Sequence, residues 1–149
     1  MPVLTENKKA YFNYEILESF EAGIELKGFE VKAVKSGLAS LTGAFATIHD
    51  SQIFLTNFQI QPYQPKNTPA DYNPTRSRRL LLNKKEITYL ASKMPAERLT
   101  LVPLKLYTKG NLVKVELGLA RGKRKYEKRE AIKKRDVKKE IGRTLKSGR

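Results

Sequence analysis

Residues 100–121 read TLVPLKLYTKGNLVKVELGLAR. In the second half Val113, Val115, Leu117 and Leu119 alternate with Lys114, Glu116 and Gly118, a period of two that sends one face of a strand into a core and the other toward water. Residues 100–108 form an equally apolar run, and Lys109, Gly110 and Asn111 supply the turn between the two. This is the clearest hairpin in the chain, and it commits the fold to antiparallel β structure.

Outward from it, Asn83 with Glu86 three residues on makes a capping box, and Ile87, Leu90, Ala91 and Met94 fall at i, i+3, i+4 and i+7 before Pro95, which predicts a helix. Residues 61–77 hold Pro62, Pro65, Pro69 and Pro74 with no apolar period, so neither helix nor central strand runs through them, and a long surface loop follows. Residues 44–49 and 52–60 form a second hairpin turning at Asp50 and Ser51, with Phe54, Phe58 and Ile60 on one face. Over residues 27–36, Val31, Ala33 and Val34 share one helical face and Lys32 and Lys35 another, with Gly37 as the stop. Tyr14, Ile16 and Phe20 share a parity, and Gly23 marks a bend or bulge before Ile24 and Leu26. Five or six short antiparallel strands in roughly 110 residues leave two edges to cover, which favours a closed barrel. The expectation is a mainly β, OB-like antiparallel barrel of about six strands with two or three peripheral helices; a two-layer α+β sandwich is the competitor.

Composition narrows the chemistry. The chain has 149 residues and no cysteine, so one domain must fold without disulfides or a zinc ribbon. Mean hydropathy is −0.53 and no apolar run approaches the ~18 residues of a membrane span. Residues 1–17 lack a secretory pattern, so a cytoplasmic protein is expected. His49, the sole histidine, sits beside Asp50 at a turn, and neighbours in an extended chain point to opposite faces, so it reads as a turn residue rather than a base. Glu18 with Glu21, or Glu25 with Glu30, makes no metal-like cluster, and no phosphate-cradling glycine motif occurs. Neither an enzyme, a cofactor nor a bound metal is expected.

Charge points to a partner. The net charge is +15, and residues 121–149 carry 14 basic against 4 acidic side chains. A basic extension on a milder body suits a polyanion, since cations that neutralise phosphates release counterions; a merely solubilising tail is the bland alternative. We therefore divide the chain into a barrel, 1–120, and a basic tail, 121–149. The tail aliphatics Ile132, Val137, Ile141 and Leu145 can share a helical face, yet four of them do not offset the entropy of ordering the segment. It is expected to be disordered alone and helical on a polyanionic surface. In the body, basic and aromatic residues interleave at Asn7, Lys8, Lys9, Tyr11 and Phe12, and cations gather at Arg76, Arg78, Arg79, Lys84 and Lys85. Arg78 and Arg79 are expected to contact RNA, whereas Tyr14, Phe20, Phe45 and Phe54 are expected in the core. Glu30 is open to two readings: a carboxylate that accepts from a base or orients a lysine, or an exposed helix residue paired with Lys27 or Lys35.

Taken together, several segments resemble the SsrA-binding protein family, small protein B, the bacterial partner of transfer-messenger RNA. They are Asn7-Lys8-Lys9-Ala10, Phe29-Glu30-Val31-Lys32, Asn73-Pro74-Thr75-Arg76, Arg79-Leu80-Leu81-Leu82, residues 99–107 and Ala120-Arg121-Gly122-Lys123. The resemblance implies an oligonucleotide-binding barrel that holds the tRNA-like domain of that RNA and, with elongation factor Tu, delivers it to the vacant A site of a stalled ribosome. The nascent peptide is then tagged for degradation. It implies a monomer without cofactor or membrane attachment, whose tail enters the empty messenger channel at the decoding centre. It places RNA binding at Glu30 and the Asn7-Lys8 region, and ribosomal steps at Gly122, Lys123, Arg124, Glu127, Lys128 and Arg129, with Tyr126 expected to stack on a ribosomal base; together with the basic clusters, the expected RNA-binding set is Asn7, Lys8, Lys9, Glu30, Lys32, Arg78, Arg79 and Lys84. Phe12 departs from a common histidine, and Glu127 from a common aspartate. A general single-strand-binding barrel and an RNA-processing enzyme are the rival functions, the second disfavoured by the missing histidine and carboxylate clusters.

Overall fold

A computed structural model describes residues 3–123. Along the chain run β1 (Val3–Glu6), α1 (Lys8–Asn13), β2 (Tyr14–Ile24), α2 (Gly28–Lys35), β3 (Ala39–Ser40), β4 (Phe45–His49), β5 (Gln52–Thr56), β6 (Gln59–Ile60), β7 (Arg78–Leu81), α3 (Lys84–Ala96), β8 (Thr100–Lys109) and β9 (Leu112–Gly122). The sheet order β1-β8-β4-β5-β7-β2-β9 closes on itself because β9 also pairs with β8, giving a ring of six antiparallel strands. That closure sets aside the sandwich. β1 adds to the edge of β8, and β3 with β6 forms a separate two-stranded ribbon.

The 100–121 stretch is the spine. Its turn is tighter than expected, since Lys109 faces Leu112 across Gly110 and Asn111, with Gly110 at a φ of 63°. β9 lies between two long neighbours, pairing with β8 from Lys109↔Leu112 to Thr100↔Ala120 and with β2 from Tyr14↔Gly122 to Gly23↔Lys114. Pro103 has no N–H to donate, and the ladder is irregular there, between Pro103 and Lys105. The register of β2 slips between Ile16 and Glu18; Gly23, read above as a bend, is paired strand.

Two faces of β9 are covered, not one. Val115, Leu117 and Leu119 are fully buried in the main core with Ile53, Leu55, Leu80, Leu90 and Leu101. On the opposite face Lys114 and Glu116 are half-exposed as the alternation predicts, but Ala120 is buried with Ala10, Val102 and Leu104 in a second cluster beneath α1. Gly118 exists because of this cover: a Cβ there would lie 3.0 Å from Leu104 Cδ1 and 3.2 Å from Ile16 Cγ2. Gly118→Ala is therefore expected to cost about 1–3 kcal/mol by overpacking. Gly28→Ala, with nothing within 4 Å of the added carbon, serves as the control. Equal urea midpoints for the two variants would show that the outer face is open after all.

Residues 52–60 are not one strand. Asn57 adopts a φ of 61° and breaks the run, so β5 buries Ile53 and Leu55 while Phe54 is only half-buried; after the break Phe58 and Ile60 turn inward. The Asp50–Ser51 turn holds both residues at positive φ, as a two-residue hairpin turn requires, with exposed His49 at its edge. α3 begins as expected: the Asn83 side chain accepts from the Glu86 N–H at 2.9 Å, and Leu90 is driven into the core. α1 and β1 were not legible as elements.

Candidate nucleic-acid interface

Two of the expected RNA contacts turn inward as a pair. Glu30 on α2 and Arg78 on β7 are both 0% exposed. Alternation along β7 puts Arg78 on the same face as Leu80 and leaves Arg79 and Leu81 outside. Arg78 Nε donates to Glu30 Oε2 at 2.8 Å, Nη1 to the Phe58 carbonyl at 2.6 Å, and Nη2 to the Pro74 carbonyl at 3.0 Å and the Tyr72 hydroxyl at 3.0 Å. Arg76 donates to Glu30 through Nε at 3.1 Å and also through Nη2. The other side of Glu30 closes the start of α2, its Oε1 accepting from the Lys27 N–H at 2.9 Å. Burial alone would raise the Glu30 carboxyl, but the bonds from Arg76, the Lys27 N–H and Arg78 outweigh it and hold the group below its usual range. Glu30 is thus neither exposed nor paired with the side chain of Lys27 or Lys35. One guanidinium ties α2, the Phe58 bend and the proline-rich loop together, which a buried charge can do only when every donor is used.

Asn7 is likewise buried. Its Oδ1 caps α1 at the Ala10 N–H (3.3 Å), and its Nδ2 donates to the carbonyls of Pro103 (2.9 Å) and Leu41 (3.3 Å). Asn7 therefore fixes α1 over β8, and the helix presents Lys8, Lys9 and Tyr11 to solvent. Gly122 pairs with Tyr14, the Lys123 N–H donates to the Asn13 carbonyl at 2.9 Å, and Lys123 Nζ reaches the Tyr11 carbonyl at 3.2 Å. Gly122 and Lys123 thus continue the barrel; Arg124, Tyr126, Glu127, Lys128 and Arg129 lie outside the described residues, as does the expected tail helix. Between α1 and the start of β4 opens a pocket of about 320 Å³ lined by Lys9, Asn13, Tyr14, Thr42 and Phe45. Phe45, expected in the core, is 39% exposed at its mouth because β4 buries Ala46 instead.

The remaining cations divide by partner. Two sheet lysines are matched by acids, Lys105 with Glu116 and Lys109 with Glu21, both at 3.3 Å, and Lys93 on α3 reaches Glu18 of β2 at 3.2 Å. Arg79 is exposed and 3.5 Å from Glu25. Among the described residues Lys8, Lys9, Lys27, Lys32, Lys35, Lys66, Lys84, Lys85 and Arg98 are exposed and make no ion pair. One surface was missed: Leu81, 47% exposed, lies with Leu26, Val31, Leu112 and Lys114 around an apolar groove of about 230 Å³. It rests over Gly23, where a Cβ would come within 3.3 Å of it. The parity of β7 was the signal that could have found it.

This arrangement, a ring barrel whose unmatched lysines flank α1, α2 and α3, has counterparts. A family model for SmpB protein matches residues 4–147. The chain belongs to the SmpB family. SmpB-family relatives named SsrA-binding protein include one from Chlorobaculum tepidum, 55% identical over 91% of this chain and 86% of its own, and one from Gloeobacter violaceus, 49% identical over 96% and 93%. Another, from Mesoplasma florum, is 50% identical over 91% of each. A solved SmpB-family chain described as "tmRNA-SmpB: a journey to the center of the bacterial ribosome" superposes with a TM-score of 0.68 at 46% identity, covering 89% of this chain and 95% of that one. Among the described residues no helix is long and apolar enough to cross a membrane.

Proposed function

We propose that this chain binds transfer-messenger RNA through its tRNA-like domain and delivers it to stalled ribosomes for trans-translation, which tags the nascent peptide and frees the ribosome. The observation that carries the reading is the likeness, over nearly the whole chain, to a solved tmRNA-SmpB structure. The work is binding, not catalysis, and takes place where bacterial ribosomes are, in the cytoplasm; elongation factor Tu joins through the RNA. On the body, the exposed lysines Lys8, Lys9, Lys32 and Lys84 and Arg79 supply phosphate contacts, and the Phe45 pocket is of a size to take one unstacked base against an aromatic ring. Asn7, Glu30 and Arg78 act from behind this face, by fixing α1, α2 and the proline-rich loop. The tail supplies the ribosomal contacts.

The test compares binding of the intact chain to transfer-messenger RNA and to ordinary tRNA across a salt series. A preference that persists at high salt supports shape recognition, because counterion release fades there. Equal affinities throughout would return the chain to the class of general single-strand binders. Replacing Lys8 and Lys9 together by alanine is expected to flatten the slope of log affinity against log salt by roughly 0.7–0.9 per lysine.

A further inference from the structure

We infer that Arg76 is an RNA phosphate contact pre-aimed by Glu30, an inference that rests on the RNA-binding reading above. The buried cluster holds two guanidinium groups and one carboxylate, so it carries a surplus positive charge. Arg78 spends that charge inside: it is fully buried and every nitrogen of its fork has a partner. Arg76 is placed differently. Its Nε and Nη2 sit on Glu30, whereas its Nη1 has only a 3.5 Å contact with the neighbouring Ser77 carbonyl, and its side chain is 29% exposed.

One edge of the fork is thus fastened while the Nη1 corner stays open to solvent. A guanidinium fastened in this way loses little rotamer entropy on meeting an anion, and its flat edge matches two phosphate oxygens. Glu30 keeps a partner on each oxygen without it, because the Lys27 N–H serves Oε1 and Arg78 serves Oε2. Glu30 is therefore a positioning residue for Arg76, and the phosphate of a folded RNA is the ligand.

The experiment measures binding of the full chain to the tRNA-like domain of transfer-messenger RNA over a salt series, for the wild type, Arg76→Ala and Arg76→Lys, with melting temperatures alongside. Arg76→Ala is expected to bind about tenfold more weakly, with a salt slope lower by roughly 0.7–0.9 and a melting temperature near wild type. Arg76→Lys keeps the charge and loses the fork, so it should retain the slope and bind about threefold more weakly. A wild-type slope in Arg76→Ala overturns the inference. So does a loss of affinity accompanied by a fall in melting temperature with no change in slope, which would make Arg76 an internal brace. Failure of the wild type to bind this RNA at all would sink the functional reading instead.

Discussion

Glu30→Ala is expected to destabilise the barrel by about 3–5 kcal/mol, the usual cost of stranding a buried charge. Arg78 would be left fully buried with its Nε unpartnered and no counter-ion for its charge, and the start of α2 would lose the acceptor at the Lys27 N–H. Against a typical total stability of about 5–15 kcal/mol, that is a large fraction, and the proline-rich loop should detach first because its Arg76 loses the carboxylate it is fastened to. Urea unfolding and protease cleavage within residues 61–77 report the two effects. Glu25→Ala removes an exposed carboxylate 3.5 Å from Arg79 and is expected to shift the midpoint little. If the two variants unfolded alike, the internal cluster would not be what holds α2 to the loop.

The same group sets an acid limit. Because the folded Glu30 carboxyl is held below its ordinary value of 4.5, its contribution to stability is complete above that value and is lost as pH falls through the lower folded value. The wild type should therefore weaken progressively below pH 4.5, and Glu30→Gln should be less stable at neutral pH yet lose less on acidification. Parallel curves for the two proteins between neutral pH and acid would contradict this.

The second large effect concerns the chain beyond Lys123. Removing residues 124–149 takes away 12 basic and 4 acidic side chains. We expect peptide tagging to fall to background, while affinity for the tRNA-like domain drops by no more than about tenfold at moderate salt, the share owed to long-range attraction. The cut belongs after Lys123 and not at Gly122, because Gly122 pairs with Tyr14 and the Lys123 N–H is bonded to Asn13. An equal loss of affinity and tagging would refute the division of labour between body and tail.

How much of this could be read in advance depended on how local the cause was. The 100–121 hairpin, α3 and the proline-rich loop were legible because alternation, capping and missing N–H groups act within a few residues. α1 was not: it has six residues, and its start is fixed by Asn7 bonding across to Pro103 and Leu41, partners far away in sequence. The break at Asn57 hid the inward turn of Phe58, since a parity count assumes an unbroken strand. Of the candidate site, the lysines were predictable as cations that water accepts anywhere. Arg78 was misjudged because charge implied exposure, although its parity with Leu80 already placed it inside. Glu30 could be understood only with Arg76 and Arg78, which lie 46 and 48 residues on.

The position of β9 has a mechanical consequence. It is the last strand of the ring, and each of β8 and β2 flanks it for most of its length. A ribosome tugging on the segment that follows would load β9 along its own axis, so the ladders on both sides would have to shear together instead of unzipping one bond at a time. The Lys123 amide and ammonium, tethered to Asn13 and Tyr11, would take the first of that force. The barrel is thus suited to bear a load applied just after Lys123.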